Sequence, residues 1–202
     1  MPEAGKPEAT NGKRGSGRMK LLAVLVVCAA PVIASYLTYY VIKPEGRTNY
    51  GELVQPQHEV ASLAATALEA DSRTLSELRG KWVMLTVAAA SCDKACQDRL
   101  YAIRQVRLTT GKERERVERM LIVTDDGRPD ASLLQAHEGM HVVRADAAQV
   151  ARMFPAASTG QPSDHIFIVD PMSNLMMRFP KDADPNRMKK DLSKLLRASR
   201  VG

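Results

Sequence analysis

Residues 80–96, GKWVMLTVAAASCDKAC, constrain the fold more than any other stretch of this chain. An apolar run from Trp82 to Ala90, with two valines and a threonine, has the length and composition of a buried strand. It stops at two cysteines spaced Cys-x-x-x-Cys, Cys92 and Cys96. Beyond them apolar residues recur at helical spacing, with Cys96, Leu100 and Ile103 on one face. The pattern predicts Cys92 in a strand-to-helix turn and Cys96 in the first turn of a helix. Unpaired backbone N–H groups at a helix start stabilise a thiolate, the form that attacks disulfides and binds soft metals. Cysteine is also a small apolar core residue. The strand–turn–helix setting is what favours a reactive pair here.

The charge distribution says where such a pair would work. The chain carries a formal charge of +6, yet from Gly51 onward 22 Lys and Arg face 20 Asp and Glu. The basic excess therefore lies mostly before Tyr50. A nucleic-acid-binding domain would carry its basic patch on the folded part, so nucleic acid is excluded as a partner. Residues 1–20 are rich in Gly, Lys, Glu and Pro and predict a disordered cytoplasmic tail. Residues 21–42 hold no charge. At about 1.5 Å per residue they span a hydrocarbon core of about 30 Å. Pro31 interrupts the run, and Tyr36, Tyr39 and Tyr40 gather at its end as an interfacial belt. A cleavable signal has a shorter apolar core of about 7–15 residues, so the run is read as an uncleaved anchor. Lys6, Lys13, Arg14, Arg18 and Lys20 precede it, against Lys43 and Arg47 after it. That bias predicts a single-pass protein of the inner (cytoplasmic) membrane with its C-terminal domain in the periplasm. Cys28, inside the span, reads as a packing residue.

Residues 43–72 read as a membrane-proximal segment, within which 60–70 is either helix or strand. Residues 73–202 read as one α/β domain. The turn 74–81 leads into the first strand, and the helix after Cys96 runs to about Thr109. Residues 112–119 read as a solvated helical face. Residues 120–124 predict a buried strand, and Asp130 caps a helix ended by Gly139. Residues 141–144 predict a strand, and Asp146 caps a further helix. Residues 166–169 and 175–179 predict a hairpin, and Asp184-Pro185 starts a last helix. Alternation closed by a hairpin and a helix predicts a sheet with helices on both faces.

This order, with cysteines after the first buried strand, resembles the thioredoxin-like fold. Leu78-Arg79-Gly80-Lys81 followed by a strand and Ala90-Ser91-Cys92 resembles two extracytoplasmic branches of it. One is the membrane-anchored thiol–disulfide reductases. The other is the SCO/SenC family of copper-binding assembly factors for cytochrome oxidase, which shares the Cys-x-x-x-Cys spacing. Asp164-His165, before a strand ending Val169-Asp170-Pro171, resembles the segment that supplies that family's histidine ligand. Asp93 and Lys94 stand where the family usually has proline and aspartate. The family's histidine spacing falls on Pro162 rather than His165. Pro162 also resembles the proline that thioredoxin-like folds place in cis before this strand.

The resemblance implies copper held by Cys92, Cys96 and His165, with a partner in the copper-site subunit of cytochrome oxidase. The same pair also fits reduction of that subunit's cysteines. An alternative is a periplasmic thiol–disulfide oxidoreductase binding no copper, with Cys92 attacking and Cys96 resolving a mixed disulfide on another exported thiol protein. A third reading is a non-catalytic thioredoxin-like scaffold. His58, His137 and His141 read as structural. Met172, Met176 and Met177 are soft enough for copper, but Met176 and Met177 point to opposite faces of a strand, which favours packing for at least one.

Overall fold

The computed structural model describes residues 15–42, 49–157 and 160–199. It divides into two compact units, Met1–Arg47 and Thr48–Gly202. Of the expected disordered tail, residues 1–14 lie outside the described residues, whereas residues 15–20 are helical and begin α1. In the first unit α1 (Gly15–Leu37) is followed by a π-helical turn, Thr38–Ile42. Gly17–Val41 is long and apolar enough to cross a membrane, and none of it is buried.

The second unit is built on a seven-stranded mixed sheet in the order β1-β7-β6-β3-β4-β5-β2. Its centre is β3 (Trp82–Ala88), buried at every position and paired in parallel with β4 (Val117–Val123). On the other side β3 meets β6 (Ile166–Val169) in antiparallel fashion, and β6 turns back into β7 (Leu175–Arg178). β5 (His141–Ala145) extends the sheet in parallel beyond β4. Helices α2 (Lys94–Leu108), α3 (Ala131–Ala136), α4 (Ala147–Met153) and α5 (Pro185–Ala198) connect or close the strands.

Alternation along β3 sorts the core into two layers. Val83, Leu85 and Val87 join Met120, Ile122 and Phe167 beneath α4 and the chain before β3. Trp82 and Met84 face Ile103 and Val106 of α2 and Met188, Leu192 and Leu196 of α5. Thr86, on that second face, is buried without loss because its hydroxyl donates to the His165 carbonyl and accepts from Arg99 Nε, both at 3.2 Å.

Three expectations change. Residues 49–72 are more than a membrane-proximal segment, because they supply both edges of the sheet. β1 (Glu52–Leu53) pairs with β7, and β2 (Ala65–Ala67) pairs with β5. The charged run is not one solvated helix. It divides into a 3-10 segment, Gly111–Arg116, and the first residues of β4, which bury Arg119. Among the described residues the cis peptide bond is Gln55–Pro56, so Pro162 is trans and begins a short 3-10 turn, Pro162–Asp164.

A candidate redox site at the carboxyl ends of β3 and β4

Ala89 to Ser91 carry the chain from β3 over the end of the sheet. The Asp125 carboxylate, just beyond β4, accepts the Ala90 N–H at 3.0 Å and fixes the turn. Gly127 permits this approach, because a Cβ there would lie 2.7 Å from the Ala90 methyl. Cys92 follows in the left-handed region, with φ of 37°. A non-glycine residue there is held by its surroundings. Its carbonyl accepts from Gln97 Nε2 at 3.0 Å, and its sulfur is bonded to Cys96.

The disulfide bridges one helical turn, with Cα atoms 5.2 Å apart. Both cysteines are buried, packed with Ala88, Leu100, Leu121 and Val123. Asp93 caps α2, its carboxylate accepting the Cys96 N–H at 2.8 Å. This changes the expected electrostatics. The amide that would help a Cys96 thiolate is occupied, and a carboxylate shares the first turn. Lys94 is turned toward Asp98, 2.9 Å away on an exposed face.

A cleft of about 200 Å³ opens on this turn. Cys92, Ser91, Asp130, Leu133 and His137 line it, and Cys96 does not. His137 is the residue that sequence reasoning passed over. Its Nδ1 is buried with no hydrogen-bond partner among the described residues. Burial first, then the charges of Arg119 and Arg104, hold its pKa below the usual 6.5, so the ring is neutral at neutral pH. The signal was out of reach in the sequence, since His137 reaches the cleft lined by Cys92 only through the placement of α3.

His165 is placed differently from the two cysteines. It is buried, its Nδ1 lies 2.8 Å from the Phe179 carbonyl, and its Nε2 accepts the Ala157 N–H at 3.3 Å. The carbonyl requires a proton on Nδ1, so the remaining lone pair, on Nε2, is already taken. Among the described residues no three His, Cys, Asp or Glu side chains are grouped to hold a metal ion. With the disulfide closed and His165 Nε2 engaged by Ala157, Cys92, Cys96 and His165 are not presented together as donors in this oxidised form. His58 Nε2 lies 2.8 Å from the Met153 carbonyl, and His141 Nδ1 accepts from Arg73. Met177 is core, Met176 is half-buried against Gln57, and Met172 is exposed.

Residues 82–199 match the family described as transmembrane-like, thioredoxin-like, C-terminal domain. Among solved structures, the chain resembles the apo Sco1 protein from Thermus thermophilus at 18% identity and a TM-score of 0.54, covering 75% of this chain and 99% of that one. Copper-bound ScoI of Bradyrhizobium japonicum gives 18% identity and 0.50 over 65% of this chain and 96% of that one. Copper-bound yeast Sco1 gives 15% and 0.51 over 75% and 90%. At these identities the shared property is the fold. No curated protein matches the sequence.

Proposed function

Because the chain belongs to the transmembrane-like, thioredoxin-like C-terminal domain family, we propose that it is a membrane-anchored thiol–disulfide protein serving the assembly of cytochrome oxidase. In this reading residues 21–42 anchor the chain in the inner membrane, the unit Thr48–Gly202 carries the redox domain in the periplasm, and the partner is the oxidase subunit that holds copper-site cysteines. The observation that carries the chemistry is the asymmetry of the pair. Both sulfurs sit in the same apolar cluster, but Cys92 borders the cleft and Cys96 does not.

In the reduced protein the Cys92 thiolate attacks one sulfur of a partner disulfide, and the other partner sulfur leaves as a thiolate. The proton that Cys92 loses passes to solvent, because burial and the nearby arginines disfavour an imidazolium at His137, which lines the same cleft. Cys96, one turn away, then attacks Cys92 Sγ, releases the second partner thiol and restores the disulfide. Two electrons pass to the partner, and an exported dithiol returns this pair to the reduced state. Copper enters as cargo: two thiolates are soft donors suited to Cu(I), and they exist only when the disulfide is open.

The test uses the full chain in neutral micelles with an oxidised copper-site peptide. Cys96→Ser is expected to accumulate a mixed disulfide through Cys92, and Cys92→Ser to form none. Equal trapping by both variants, or by neither, overturns the assignment. In a Cu(I) competition with the reduced chain, Cys92→Ser is expected to lose uptake, and His165→Ala to keep the wild-type affinity.

A further inference from the structure

A second cleft, of about 360 Å³, adjoins the first at Ala136 and does not include the cysteines. It is bounded by the C-terminal half of α2, the 3-10 segment, β4 and the loop after α3. Arg104, Arg107, Arg114 and Arg119 line it, and Glu138 is the single carboxylate among its lining residues. Arg104 and Arg107 are three apart on α2 and so share a face. Arg119 enters from β4, on the sheet face otherwise given to Val117, Leu121 and Val123. It is only 5% exposed. Its Nη2 donates to the Glu138 carbonyl at 2.5 Å, but Nε and Nη1 are buried with no hydrogen-bond partner among the described residues.

A buried guanidinium with two unpaired nitrogens is costly, and neighbouring like charges add to the cost. Burial first, then the charges of Arg107 and Arg104, push the Arg119 pKa down, with Glu118 opposing. Glu118 pairs with Arg107 at 3.5 Å and offsets part of the cluster's charge, but it does not border the cleft, and Arg104, Arg114 and Arg119 face it without a carboxylate partner of their own among the salt bridges of the described residues. Arg104 and Arg114 are exposed and can move onto a ligand.

We propose that this cleft binds a phosphate group. Planar guanidinium forks pair bidentately with oxyanions. A phosphate monoester carries about −1.5 to −2 charge and three acceptor oxygens, which suits several converging arginines better than a single carboxylate does. The group belongs to a free phosphate compound or to a phospholipid headgroup, whose diester offers a single charge and two free oxygens to the same guanidinium forks.

The proposal is independent of the redox pair and is tested without it. The full chain in neutral micelles is dialysed against labelled inorganic phosphate, and separately loaded with phosphatidylglycerol and examined by native mass spectrometry. The expected result is one phosphate or one retained phosphatidylglycerol per chain. Saturation by inorganic phosphate alone assigns the site to soluble phosphates, and retention of lipid without phosphate uptake assigns it to headgroups. Arg104→Gln/Arg114→Gln, which changes two exposed residues, is expected to weaken binding at least about tenfold, equivalent to about 1.4 kcal/mol. Arg119→Met is expected to abolish it, and Lys190→Gln on α5 to leave it unchanged. If the wild type takes up neither ligand, or if the double variant binds as the wild type does, the proposal is overturned.

Discussion

At the scale of single residues, Asp93 governs how readily the cysteines react. Its carboxylate caps α2 through the Cys96 N–H, so it stabilises the helix while setting a negative charge in the turn that holds the pair. The helix start favours a thiolate, and Asp93 works against it. Asp93→Asn keeps an oxygen acceptor for the cap and removes the charge. The thiol pKa of the reduced chain is expected to fall, and exchange with a small disulfide at neutral pH to speed up several-fold. Thiolate ultraviolet absorbance followed across pH checks this, and an unchanged titration would leave Asp93 a cap alone. The position of the pair itself was readable in the sequence, because a strand period and a helix period meet there. The reversal of the local electrostatics was not, since it depends on the rotamer of one side chain.

At the scale of elements, Asp191 fastens the start of the domain to its last helix. It is buried on α5 and accepts the N–H groups of Tyr50 at 2.6 Å and Gly51 at 2.9 Å. Gly51 can sit there only without a side chain, since a Cβ would lie 2.4 Å from the Met177 sulfur. Asp191→Ala leaves two amides without their acceptor and is expected to cost about 3 kcal/mol, read as a lowered urea midpoint. No loss would mean that water serves these amides equally well. Elements of this kind resist reading from sequence. β1 and β2 are two and three residues long, too short for alternation to register, and each is defined by a distant partner strand. Arg119 was misread for a related reason. Its neighbours are charged, and nothing in the run marks the point at which a solvated 3-10 segment becomes a buried strand. The long periodic elements α2, β3 and α5 were legible because their own residues carry the pattern.

At the scale of the whole domain, both outer positions of the sheet are filled from residues 52–67. An uncovered edge offers unpaired N–H and C=O groups to other chains. A fragment beginning at residue 73 is therefore expected to aggregate, and one beginning at residue 48 to remain monodisperse by light scattering. Monodisperse behaviour of the shorter fragment would show the edge strands to be dispensable. The same arrangement also sets a schedule. Glu52 must wait for Arg178, 126 residues later, before its strand and its ion pair can form. At about 5–20 residues per second, synthesis leaves that edge open for roughly 6–25 s. Cys92 and Cys96 emerge inside this interval, before β4 and α3 exist to cover them. The two cysteines thus have a period of open access to oxidants and thiols that the finished domain restricts to the cleft beside Cys92.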